Sequence, residues 1–175
     1  PHLRTWQDGW RTLRFMLLYS PHWLFFLPGY ALFVLGLFIG GVLLAGPIEI
    51  RGIGFDTNTL LVCAMMALLG FKLIAFACFA KLFAISEGLL PESPRFSAFL
   101  RMIRLETGLI IGGLLALIGL GVLVWSVIYW KAYDFGALSY PESLRIVIPG
   151  VTATTLGIEI IFSSFFLSIL ALRRT

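Results

Sequence analysis

NTLLVCAMMALLGFKLIAFACFAKLF at residues 58–83 and LRIVIPGVTATTLGIEIIFSSFFLSILAL at residues 144–172 decide the fold of this chain. Each run exceeds the roughly 20 apolar residues that carry an α-helix across the ~30 Å hydrocarbon core of a bilayer. Apart from Lys81 and Arg145 towards their ends, each carries one ionisable residue near its middle, Lys72 in the first and Glu159 in the second. A lone charge at that depth costs on the order of 3 kcal/mol to insert, so a partner or a task is expected for it.

Two further apolar runs, about 22–45 and about 107–130, complete a set of four, and the chain reads as an all-α integral membrane four-helix bundle with amphipathic interfacial helices. Composition agrees: 59% of residues are hydrophobic and 13% charged, against roughly 45–50% and 25% in soluble domains. A water-soluble fold is excluded. The 175 residues hold four spans and short connections, with no room for a separate globular domain of ordinary size. The sequence opens at Pro1 without an initiator Met, which is expected of a processed chain or a piece of a longer one, and it lacks the layout of a signal peptide. Cys63 and Cys78 share one run, roughly 22 Å apart along a helix, too far for a mutual disulfide.

The flanks carry the polar character. Residues 1–21 mix Trp6, Trp10, Leu13, Phe15 and Met16 with Arg4, Arg11 and Arg14, a blend suited to a juxtamembrane amphipathic helix among the headgroups. In the first span, Pro28-Gly29 predicts a kink and Gly36, Gly40 and Gly41 a packing face. Residues 48–56 form a short extramembrane connection with room for a brief extended piece, and Asp56 or Thr57 is placed to cap the next helix. Residues 94–106 repeat the interfacial design, setting Phe96, Phe99, Leu100 and Ile103 against Arg101 and Arg104. The third span is rich in glycine at 108, 112, 113, 119 and 121 and ends in an aromatic belt of Trp125, Tyr129, Trp130 and Tyr133. Pro149-Gly150 predicts a break near the start of the fourth.

Basic residues set the orientation, because cytoplasmic segments carry the excess of Lys and Arg. One side holds Arg4, Arg11, Arg14, Lys81, Arg95, Arg101, Arg104, Arg173 and Arg174, the other Arg51, Lys131 and Arg145. Both termini are therefore expected in the cytoplasm, in a multi-pass membrane protein. Spans two and four then run in the same direction and bring Lys72 and Glu159 to one depth.

Two constellations follow. Lys72 and Glu159 form either a buried salt bridge that fixes which helix faces meet or part of a polar path for a proton, ion or headgroup. Arg11, Arg14, Lys81, Arg101 and Arg104 sit at headgroup level, where they serve either general lipid adhesion and topology or capture of a lipid phosphate, for which Arg offers a bidentate fork. His2 and His22 lack metal-ligand spacing, and neither a catalytic set nor a glycine-rich phosphate loop is visible.

Particular strings carry a family likeness: Arg4-Thr5-Trp6, Asp8-Gly9-Trp10-Arg11-Thr12-Leu13-Arg14-Phe15, Leu17-Leu18-Tyr19-Ser20-Pro21 before Trp23-Leu24, Phe79-Ala80-Lys81, Glu87-Gly88-Leu89-Leu90-Pro91, and Phe162 to Ser168. With these the chain resembles the C-terminal membrane region of bacterial family 2 glycosyltransferases, the relatives of dolichol-phosphate mannose and polyprenyl-phosphate glucose synthases. The resemblance implies an upstream cytosolic domain that uses a nucleotide sugar and a divalent metal to glycosylate a polyprenyl phosphate. That domain's metal and catalytic motifs have no counterpart here, so no cofactor is expected in this chain itself. Its expected role is an anchor that positions the catalytic domain and the lipid acceptor at the cytoplasmic leaflet. Membrane lipids are the expected partners, with a further copy of the chain as another and no nucleic acid. The competing readings are a small flippase-like transporter of a polyprenyl-linked sugar, with Lys72 and Glu159 on its path, and an accessory subunit of a larger membrane assembly.

Overall fold

A computed structural model describes residues 9–10, 22–91, 105–132, 134 and 140–172. A single π-helical turn, His22–Phe26, leads into helix α1, Leu27–Leu44. A two-stranded antiparallel hairpin follows, β1 at Ile48–Ile50 and β2 at Ile53–Phe55. Three long helices complete the order: α2 at Thr57–Ser86, α3 at Leu105–Lys131 and α4 at Tyr140–Leu172. With the turn before α1 included, all four helices are long and apolar enough to cross a membrane.

The extensive helix contacts join α1 to α2, α2 to α4, and α4 to α3. Chain order and connectivity make the first and last of these antiparallel and the central α2–α4 pair parallel. Large apolar side chains cover the outside, with Trp23 71% and Phe38 70% exposed. Such a surface would aggregate in water and is suited to lipid.

Small residues set the two antiparallel seams, since lipid tails supply no hydrophobic drive between helices and close van der Waals packing must hold them together. Along α3, Gly108, Gly112, Ala116 and Gly119 are buried. A Cβ at Gly112 would lie 2.6 Å from the Gly157 carbonyl oxygen on α4. Gly108 faces the Ser164 side chain, and Gly119 faces Thr154 and the Gly150 backbone. On the other seam Gly29 and Gly70 face each other's helix backbone, and Gly36 meets Cys63 and Ala67. Phe25 and Phe76 extend this seam edge to face at 4.8 Å.

Two local expectations need correction. Pro28 itself occupies the first turn of α1, with the π-helical turn His22–Phe26 directly before it. Pro149 does not break α4, which continues from Tyr140 to Leu172. Just beyond that proline, Thr152 Oγ1 donates to the Ile148 carbonyl at 2.7 Å and Thr154 Oγ1 to the Gly150 carbonyl at 2.8 Å. Leu105 and Glu106, placed by the sequence in an interfacial helix, are the first residues of α3. The rest of that segment, 94–104, lies outside the described residues, as does all of the N-terminal segment 1–21 except Gly9 and Trp10.

Candidate functional site

The central α2–α4 seam carries the charges. Near the outset of both helices, Arg145 Nη2 donates to Asp56 Oδ1 at 2.6 Å. Asp56 stands at the N-cap position of α2 but makes no side-chain capping bond, so the expected cap is replaced by this pairing across 89 positions of sequence. Sequence reasoning missed it because a local role for Asp56 was at hand. Thr57 is a buried residue of α2 itself.

Roughly 24 Å further along α2, by helix rise, Lys72 Nζ lies 3.2 Å from Glu159 Oε1. The order of charges is reversed here: α2 supplies the acid in the first pair and the base in the second. Because both pairs form at corresponding heights, they define a parallel register between α2 and α4 that a one-turn slip would disrupt. The environment is uneven. The Glu159 side chain is 16% exposed while that of Lys72 is 64% exposed, and Glu159 Oε2 is buried without a hydrogen-bond partner. Lys72 also lines a groove of ≈ 760 Å³ along the seam, walled by Leu61, Met65 and Leu68 of α2 and by Leu144, Val147 and Val151 of α4.

Apolar contacts hold the two ends of the seam. On the hairpin side, Leu43, Leu60, Cys63 and Ile148 form a buried cluster on which Ile48 and Phe55 pack. At the far end, Cys78, Leu82 and Leu167 form another, with Phe79 and Phe166 edge to face at 4.7 Å. Both cysteines are free and buried. A second apolar cavity of ≈ 340 Å³ is lined by all four helices, including Gly36 and Gly40 of α1 and Leu115 of α3.

Of the cations singled out at headgroup level, Lys81 lies near the end of α2, partly buried. Arg11, Arg14, Arg101 and Arg104 lie outside the described residues. Among the described residues, no three of His, Cys, Asp and Glu gather as metal ligands would.

The Asp56–Arg145 pair carries a modest prediction. Both side chains retain some exposure, 36% and 24% respectively, and partly exposed pairs of this kind couple by about 1 kcal/mol or less. A double-mutant cycle of Asp56→Asn and Arg145→Gln, read by unfolding in detergent, should return a coupling of that size that shrinks with added salt.

Comparison with known proteins bears on the whole chain. The family described as the glycosyltransferase family 2 C-terminal transmembrane region matches residues 78–171, from the second half of α2 through nearly all of α4. Over 170 residues, 95% of this chain, the sequence is 34% identical to the low-salt glycan biosynthesis hexosyltransferase Agl6 of Haloferax volcanii. The chain spans 39% of that relative's length. No solved structure matches it.

Proposed function

The chain belongs to the glycosyltransferase family 2 C-terminal transmembrane region, and from that premise we propose that it anchors a sugar-transferring domain at the cytoplasmic leaflet and helps present a polyprenyl phosphate as acceptor. The observation that supports this reading best is likeness along 95% of the chain to a protein named as a hexosyltransferase. In this reading the catalytic domain precedes the membrane region and uses a nucleotide sugar with a divalent metal. Arg11, Arg14, Lys81, Arg101 and Arg104 hold the acceptor's phosphate at the membrane face, where each basic group contributes about 1 kcal/mol towards an anionic surface. Both termini then lie in the cytoplasm and the four helices in the plasma membrane. Lys72 and Glu159 have a structural part, matching helix faces at mid-depth.

Full-length protein in vesicles, supplied with a labelled nucleotide hexose and a polyprenyl phosphate, should place label in the lipid-extractable fraction, whereas residues 1–175 alone should transfer none. Replacing Arg101 and Arg104 by Gln should raise KM for the lipid phosphate about thirtyfold, as two contributions of ~1 kcal/mol imply, and leave KM for the nucleotide sugar unchanged. Transfer to soluble acceptors with no lipid product, or turnover by residues 1–175 alone, would contradict the proposal.

A further inference from the structure

The β1–β2 hairpin is built with one apolar face. Its register pairs Ile48 with Phe55, Glu49 with Gly54, and Ile50 with Ile53, and alternate residues of a strand share a face. Ile48, Ile50, Ile53 and Phe55 therefore lie on one side, with Glu49 on the other. The two halves of the apolar face differ in what covers them. Ile48 and Phe55 pack on Leu43, Leu60, Cys63 and Ile148. Ile50 and Ile53 extend past this support and remain 55% and 61% exposed.

The turn between them has a specific geometry. Arg51 and Gly52 have φ of 53° and 79°, positive at both central residues as a type I′ turn requires, the geometry that matches the twist of a two-residue hairpin. Arg51 pays the steric cost of that conformation at the exposed tip, with an isoleucine on either side of the turn.

Position identifies what meets this tip. Leu43 lies in the last turn of α1 and Leu60 in the first turn of α2, so the hairpin's base sits at the boundary of the hydrocarbon core. Each strand has three residues and reaches only about 10 Å, comparable with the interfacial layer, which is roughly 5–8 Å thick on each side. An apolar face at that level, backed by a polar one and ending in a cation, has the pattern of a segment lying in the interface with its apolar side in the acyl chains.

We propose that the hairpin is a preformed lipid anchor: Ile50 and Ile53 seat in the acyl–headgroup boundary of the leaflet on their side, and Arg51 meets the phosphates of anionic lipids. The anchor fixes the α1–α2 end of the molecule against the membrane surface opposite the one at which α2 ends, independently of any sugar transfer.

The test uses full-length protein in vesicles of phosphatidylcholine and phosphatidylglycerol, with Cys63, Cys78 and any further cysteines replaced by Ala. An environment-sensitive fluorophore is placed singly at Glu49→Cys, Ile50→Cys or Ile53→Cys. Iodide in the aqueous phase should quench the label at positions 50 and 53 severalfold less than at 49, while lipids carrying a nitroxide high on the acyl chain should quench 50 and 53 strongly. Iodide quenching at 50 and 53 equal to that at 49 would place the tip in water and overturn the proposal. Protection from both quenchers would mean that protein, such as a second copy, covers the tip, and would overturn it equally. Raising the phosphatidylglycerol fraction should deepen the labels, and Arg51→Gln should abolish that dependence; an unchanged dependence would remove Arg51 from the contact.

Discussion

Gly112→Ala should destabilise the folded membrane region by about 2–3 kcal/mol, whereas Gly113→Ala, one residue along, should be neutral or slightly stabilising. The added methyl at Gly112 would lie 2.6 Å from the Gly157 carbonyl oxygen and 3.1 Å from the Ile161 backbone nitrogen. Backbone atoms cannot rotate aside as a flexible side chain would. The helices must separate, and overpacking of this kind costs about 1–3 kcal/mol before the lost contacts further along the seam are counted. Nothing lies within 4 Å of a Cβ at Gly113, so only the helix-propensity gain of Ala over Gly, up to about 1 kcal/mol, remains. Gly157→Ala should reproduce the Gly112 defect from the other side, where the methyl would strike Ala116 and the Gly112 carbonyl. Unfolding by a denaturing detergent, followed by circular dichroism, orders the three variants. Equal effects at 112 and 113 would rule out the close α3–α4 seam.

Lys72→Leu should be the costliest substitution on the central seam, at about 3 kcal/mol or more, because it strands a carboxylate that is only 16% exposed and already has one buried oxygen without a partner. The double variant Lys72→Leu/Glu159→Leu should recover most of that loss, since two apolar residues in a lipid-facing seam leave no group unsatisfied. The cycle's coupling is the informative quantity. A flippase that needs both charges on its path would instead lose lipid translocation in the double variant while remaining folded. Sugar transfer to the lipid acceptor, retained in the stable double variant, is the result the anchor reading expects.

The four spans and the common depth of Lys72 and Glu159 were legible because hydropathy and charge sidedness are properties of sequence alone. Partner choice was not. Of the packing face read in the first span, Gly36 meets the α2 backbone but Gly41 faces open space, and of the glycines crowding the third span Gly112 and Gly119 meet the α4 backbone while Gly113 and Gly121 face open space. Gly70 and Gly157 were overlooked, yet each meets a neighbouring helix backbone at under 3 Å. Composition supplies small residues, and only the rotation of each helix decides which of them touch. The Asp56–Arg145 pair was hidden for a related reason: a nearby cap and a distant guanidinium compete for the same carboxylate, and sequence spacing favours the near one. Pro149 read as a break because a proline inside a helix loses a backbone bond, yet α4 runs through it and packs closely on α3 at Gly150 and Thr154. The Arg51-Gly52 turn lacks the Asn-Gly or Asp-Gly signature that announces a hairpin.

The bundle rests on α2 and α4 lying side by side and pointing the same way. Nitroxide labels at Asn58 and Glu142, in a background with Cys63→Ala and Cys78→Ala, mark the beginnings of the two helices, and labels at Phe83 and Ile169 mark their ends. Pulsed electron–electron distance measurements in vesicles should give short separations for both like-ended pairs, set by an interaxial spacing of about 10 Å plus the label arms. The crossed pairs, 58 with 169 and 83 with 142, should lie close to 40 Å apart, the rise of some 26 helical residues. Short crossed distances and long like-ended ones would contradict the account at its base.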